Sequence, residues 1–185
     1  MSIEEKFTII AGLLAAFKWV YEYTQKLSWE RSRFLLDCLQ DFNAKENTKK
    51  VQKILDWNLL NIEIAGNEEQ IEDQILMQAL QTHDIKSSYS NLEYELRGMF
   101  DEYFDDLNAL VQLQKAGLID EDRLKMFLSY WFSILNGERK NKSQAFALSV
   151  KKYMLFYGYE ELYEFIEQNP FNKMVKKLHA IRRNF

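Results

Sequence analysis

Apolar residues recur at three- and four-residue spacing along most of the chain, the period of α-helices with one covered face. Ser2 with Glu5 predicts a first helix running to about Leu27, nearly all-round apolar from Phe7 to Phe17. Ser28 is the next N-cap candidate and predicts a second helix over about Trp29 to Asn43, with Leu35, Cys38 or Leu39, and Phe42 facing the core. Asn47 or Thr48 opens a short third helix carrying Val51, Ile54 and Leu55, and "ILDW" at its end suggests Trp57 as a core residue. Ile62 and Ile64 alternate like a short extended piece, too short to imply a sheet.

Asn67, followed by Glu68, Glu69, Glu72 and Asp73, predicts a helix with an acidic first turn and an inner face of Ile71, Ile75, Leu76 and Leu80. Residues 83–90 read as a loop. Ser90 with Glu93 starts the longest helix, closed by Gly117. Asp120 to Gly137 forms the next, with Phe127 and Trp131 among its inward residues, and Ser143 to Gly158 the one after. A short acidic helix ends at Asn169 and Pro170, and a basic one runs to Phe185. The expected fold class is all-α: a single-domain bundle of about nine helices, divided into a hydrophobic N-terminal helix over 1–27 and a helical domain over 28–185.

Composition supports that class. Six Gly and one Pro stand against roughly 22 expected for an average chain of 185 residues, which disfavours turn-rich β architectures. Cys38 is the only cysteine, so a disulfide within the chain is impossible and a reducing compartment fits. The net charge of −4 hides five basic residues and no acid in 172–185, leaving −9 for the other residues. An acidic body of this kind is not expected to bind nucleic acid.

Few groups offer chemistry. His83 and His179 are the only histidines, neither sits in an E-x-x-H arrangement, and no phosphate-binding glycine loop or nucleophile elbow occurs. The run Asp101, Glu102, Asp105 and Asp106 presents carboxylates four apart, the spacing that can hold Mg²⁺, but no second acidic motif matches it, and it reads as a solvated face. No cofactor and no metal site is expected.

Surfaces are the stronger signal. Phe7, Leu13, Leu14, Phe17 and Trp19 need a cover of protein or lipid, while Lys18, Trp19, Tyr21 and Tyr23 resemble an interfacial cluster of a short anchor. Eleven uncharged residues fall short of the roughly 20 a spanning helix needs. Lys173, Lys176, Lys177, Arg182 and Arg183 make the last helix basic and amphipathic, suited to an anionic membrane surface, an acidic partner or the preceding acidic helix.

Several fragments together resemble a family of uncharacterised bacterial all-helical proteins, a domain of unknown function often preceded by an N-terminal membrane helix. The resemblance rests on Trp29, Ser32, Phe34 and Phe42, on Leu55, Asp56 and Trp57, on Phe100, Tyr103 and Phe104, on Gly117 to Asp120, and on Tyr130 with Trp131. It spans about residues 28–135, and "YGYEELYEF" also fits. It implies a helical scaffold at or near a membrane and carries over no catalytic residue. The expectation is a non-catalytic interaction or regulatory module, cytoplasmic, docking a protein partner or the inner membrane surface. The alternatives are an accessory subunit of a larger assembly and a metal-dependent enzyme using the acidic run.

Overall fold

A computed structural model describes residues 3–168. Its first element is a single helix, α1, Ile3–Ala44, followed by α2, Glu46–Asp56, and an antiparallel hairpin of β1, Leu59–Ile64, and β2, Asn67–Glu72. Then come α3, Asp73–Ala79; α4, Asn91–Lys115; α5, Glu121–Leu135; α6, Gln144–Phe156; and α7, Glu160–Glu167. The described residues thus hold seven helices and one hairpin, where about nine helices were expected. One expected boundary is missing, and the basic helix after Pro170 lies outside the described residues.

The missing boundary is at Ser28, so α1 also crosses the expected division between 1–27 and 28–185, and the expected hydrophobic N-terminal helix is not found: the apolar run is one part of a 42-residue helix that is not apolar as a whole. Ser and Thr stop a helix by offering the backbone another hydrogen bond, but inside a helix the hydroxyl can instead return to a carbonyl one turn back. Here the Thr24 hydroxyl donates to the Tyr21 carbonyl (2.8 Å) and the Ser32 hydroxyl to the Ser28 carbonyl (2.6 Å). No Gly or Pro interrupts residues 13–44, so nothing breaks the ladder.

The second correction is the hairpin. Glu68, Glu69 and Glu72 belong to β2 rather than to the first turn of a helix, and α3 begins only at Asp73. Ala65 (φ 49°) and Gly66 (φ 82°) both occupy the left-handed region, the turn that joins two antiparallel strands with their natural twist. Leu60 pairs with Ile71 and Ile64 with Asn67, which places Ile64 and Ile71 on the covered face.

The expected caps of α4, α5 and α6 form, whereas α2 begins at Glu46 after Lys45, ahead of the expected caps Asn47 and Thr48, and has no side-chain cap. Ser90 and Glu93 form a reciprocal capping box (3.3 and 2.8 Å), Asp120 caps α5 (2.9 Å) and Ser143 caps α6 (3.1 Å). Gly117, at φ 71°, ends α4 with the Leu118 amide donating back to the Leu113 carbonyl (3.0 Å). The core centres on Phe100, Tyr103, Phe104 and Leu107 of α4, against which α2, α3 and α7 pack. Phe42 reaches it from α1, with its ring 5.5 Å from that of Tyr103.

Candidate functional site

Two settings compete for a functional role: the polar network inside the body and the N-terminal part of α1. In the body, the acidic run is not a free solvated face. On α4, Asp101 accepts from the Tyr153 hydroxyl of α6 and Asp105 from the Tyr159 hydroxyl ahead of α7 (2.8 Å). Glu102 accepts from the Asn47 amide (2.6 Å), and Asp106 pairs with Lys45 (2.6 Å) at the α1–α2 junction. Four carboxylates one helical turn apart are divided between two flanks, and each is engaged separately. Among the described residues no group of three or more His, Cys, Asp or Glu side chains is placed to share a metal ion. Burial pushes the Asp101 carboxyl up from its ordinary range, against the pull of the Tyr153 hydrogen bond and Arg97.

Arg97 is a buried cation that sequence reading missed, since it stands on the face that also carries Leu96, Met99 and Phe100. It donates to the Ala79 (3.0 Å) and Gln81 (2.7 Å) carbonyls at the end of α3 and to the Tyr157 hydroxyl (2.9 Å). The rings of Tyr89, Tyr153 and Tyr157 flank it at 4.5, 4.9 and 5.3 Å. All three of these hydrogen bonds serve to close the body. The exposed His83 ring is held by the same Tyr157 hydroxyl and packs edge-on to Tyr89 and Tyr157.

Lys142 does comparable work below the hairpin. Its buried ammonium reaches the Trp57 carbonyl (2.6 Å) and Asp73 (3.1 Å), while Asn141 donates to the Asp56 carbonyl (2.9 Å). Burial pulls the Lys142 ammonium below its ordinary value, and the Asp73 contact opposes this. The Trp57 backbone is used here, but the residue is 60% exposed, which corrects the expectation of a core tryptophan. Phe127 is likewise exposed and Trp131 only half-buried.

Cys38 is partly buried, and burial together with Asp41 and Asp37 pushes its thiol up, the opposite of what a nucleophile needs. Two open clefts, one of about 350 Å³ beside Met77, Leu80 and Ile85 and one of about 180 Å³ between α6 and α7, include no residue of the acidic run.

The N-terminal part of α1 is different in kind. Among residues whose burial is described, none before Leu35 is buried, so the helix projects as an arm of roughly 45–50 Å at 1.5 Å per residue. Phe7, Leu13, Leu14, Phe17 and Trp19 are each more than half exposed. At about 100° per residue the arm is lopsided: Phe7, Ile9, Ile10, Leu13, Leu14 and Phe17 fill a sector of roughly 160°. Thr8, Ala11, Gly12, Ala15 and Ala16 fill the other side. That small-residue side continues as a charged ladder with ion pairs from Lys18 to Glu22 (3.7 Å) and from Lys26 to Glu30 (3.8 Å).

The structure therefore groups Phe7, Leu13, Leu14 and Phe17, and separates from them Trp19, which stacks on Tyr23 (5.7 Å) near the ladder. Ile10 and Tyr21 complete the bulky side. The signal for them is the heptad Ile3, Phe7, Ile10, Leu14, Phe17, Tyr21, which the nearly all-round apolar run from Phe7 to Phe17 obscures.

Lys173, Lys176, Lys177, Arg182 and Arg183 lie outside the described residues. Of the acids expected to face them, Glu161 already pairs with Lys115 (2.7 Å) and Glu167 with Lys151 (3.6 Å). No helix among the described residues is long and apolar enough to cross a membrane, because the uncharged run of α1 stops at Lys18 after eleven residues, short of the roughly 20 a span needs. No protein-family model, curated protein or solved structure matches the chain.

Proposed function

We propose that the protein is a non-catalytic docking module: a helical body that holds and aims an N-terminal arm, whose bulky side is its working surface. The observation that carries this reading is the exposed apolar sector of residues 7–21. Apolar patches on monomers are commonly about 300–600 Å². The bulky side exceeds that: Phe7, Ile10, Leu13, Leu14, Phe17, Val20 and Tyr21 are each half exposed or more, on the order of 800 Å² together. Leaving such a surface in water is costly at roughly 25 cal/mol per Å². The body supports the same reading, since polar contacts tie the base of the arm to it. Lys45 and Asn47 pin the α1–α2 junction to α4 through Asp106 and Glu102.

Site-specific photo-cross-linking in producing cells tests the reading. A benzoylphenylalanine in place of Phe17 is expected to yield defined covalent adducts, and one in place of Leu118, exposed on the body, is not. Equal labelling at both positions, or none at Phe17, would overturn it.

A further inference from the structure

We infer that the occupant of the arm is the arm of a second copy of this chain, running antiparallel and crossing near Leu14; the inference rests on the docking reading above. The seam consists of Phe7, Ile10, Leu14, Phe17 and Tyr21, all more than half exposed, flanked by Leu13 and Val20. An aromatic side chain buries roughly 150–250 Å² when fully covered. Seven large side chains at these exposures therefore offer on the order of 800 Å², about what each partner contributes to a stable interface.

The seam is symmetric about Leu14. Phe7 and Tyr21 lie seven residues to either side, and Ile10 and Phe17 lie four and three. An antiparallel pair with a two-fold axis at Leu14 sets Phe7 opposite the second copy's Tyr21 and Ile10 opposite its Phe17, so each seam residue meets another apolar one. The same heptad continues through Thr24, Ser28 and Arg31, which are polar. A parallel pair would bring Arg31 against Arg31 of the second copy and the two bodies to one end. The antiparallel pair keeps Ser28 and Arg31 of one copy away from those of the other, and the bodies lie at opposite ends.

Lipid fits the arm less well. Eleven uncharged residues span about 16 Å against a hydrocarbon core of about 30 Å. Glu4, Glu5 and Lys6 precede the run directly and Lys18 follows it, so a spanning pose buries formal charge. A helix lying in the plane of an anionic surface carries a predominantly basic polar face. The ladder here alternates Lys18, Glu22, Lys26 and Glu30, and the face before it is Thr, Ala and Gly.

The test uses the full chain in detergent-free buffer by light scattering and sedimentation velocity. A dimer is expected, converted to monomer by Leu14→Lys with Phe17→Lys. Thr8→Lys with Ala15→Lys on the small side should leave it dimeric, and unchanged far-UV circular dichroism of the helical body checks folding in both variants. In a Cys38→Ser background, mixing Phe7→Cys chains with Tyr21→Cys chains is expected to give a disulfide-linked pair that neither forms alone. Self-linking of each variant alone would overturn the antiparallel arrangement. A monomeric wild type would overturn self-association. If that monomer floats with phosphatidylethanolamine and phosphatidylglycerol vesicles, and Leu14→Lys with Phe17→Lys abolishes flotation, the occupant is lipid and the docking reading still stands. Loss of the Phe17 cross-links would remove the docking reading itself.

Discussion

Within α1, Phe7, Ile10, Leu14 and Phe17 repeat the spacing of Leu35, Cys38 and Phe42 at the other end of the helix. The first set stands in solvent, while Leu35 and Phe42 are buried and Cys38 is half-covered. Between them the same heptad carries Thr24, Ser28 and Arg31. The two ends differ in what the rest of the chain brings near them. The foot meets α2 across a one-residue break at Lys45, and Phe42 reaches the α4 ring cluster. The arm runs past the body before any other element can return to it. Heptad spacing states that a face needs covering, and it leaves open whether the cover belongs to the same molecule.

The largest test of that contrast compares one leucine at each end. Leu35→Ala is expected to lower unfolding stability by about 2–5 kcal/mol in urea, as for other large-to-small changes in a packed core. Leu14→Ala, measured on chain dilute enough to be monomeric, should change it by less than about 0.5 kcal/mol. Similar losses at both positions would mean that the arm folds against the body.

Trp57 extends the comparison to a second exposed apolar residue. Because the Lys142 contact uses the Trp57 carbonyl and the residue is largely exposed, Trp57→Ala should cost under about 1 kcal/mol, against about 3–5 for a core tryptophan. A loss in the core range would show that the ring is covered in solution.

Asp101 gives the smallest effect and tests the body alone. Folding raises its affinity for a proton, so the folded state binds more protons than the unfolded chain at pH values just above the ordinary 3.8. Its contribution to stability is therefore fully present below that pH and is lost as pH rises through its raised range. Asp101→Asn can still accept the Tyr153 hydrogen bond but cannot titrate. Denaturation midpoints taken between pH 4 and 7 should show the variant gaining on the wild type as pH rises. A difference independent of pH would overturn the burial argument.

Much of the helical framework was legible because its signals are local. Ser90, Asp120 and Ser143 cap the helices they were expected to cap, since a cap needs only a side-chain oxygen and an amide two or three residues on. Ser28 carries the same local signal and the helix passes through it, because the flanking hydroxyls of Thr24 and Ser32 satisfy themselves on carbonyls behind them. The acids after Asn67 suit a helix start equally well. What makes them a strand is a partner, Leu59–Ile64, and a turn with two left-handed residues.

The candidate surface was legible in part. Phe7, Leu13, Leu14 and Phe17 are legible as members of one uncharged run, whereas Trp19 shares their chemistry but its angular position sets it apart. Arg97 could not be found in advance, because its partners come from the end of α3, the 83–90 loop and α6.

Amphipathic periods, caps and charge distribution follow from neighbours a few residues away, so the chain alone dictates a helical protein with one strongly apolar end. Which of its greasy faces are covered, which carboxylates find hydroxyls and which tryptophan stays wet depend on contacts between residues tens of positions apart. Those contacts exist only once the helices have packed, and the arm keeps its apolar side exposed because no described part of the folded chain returns to cover it.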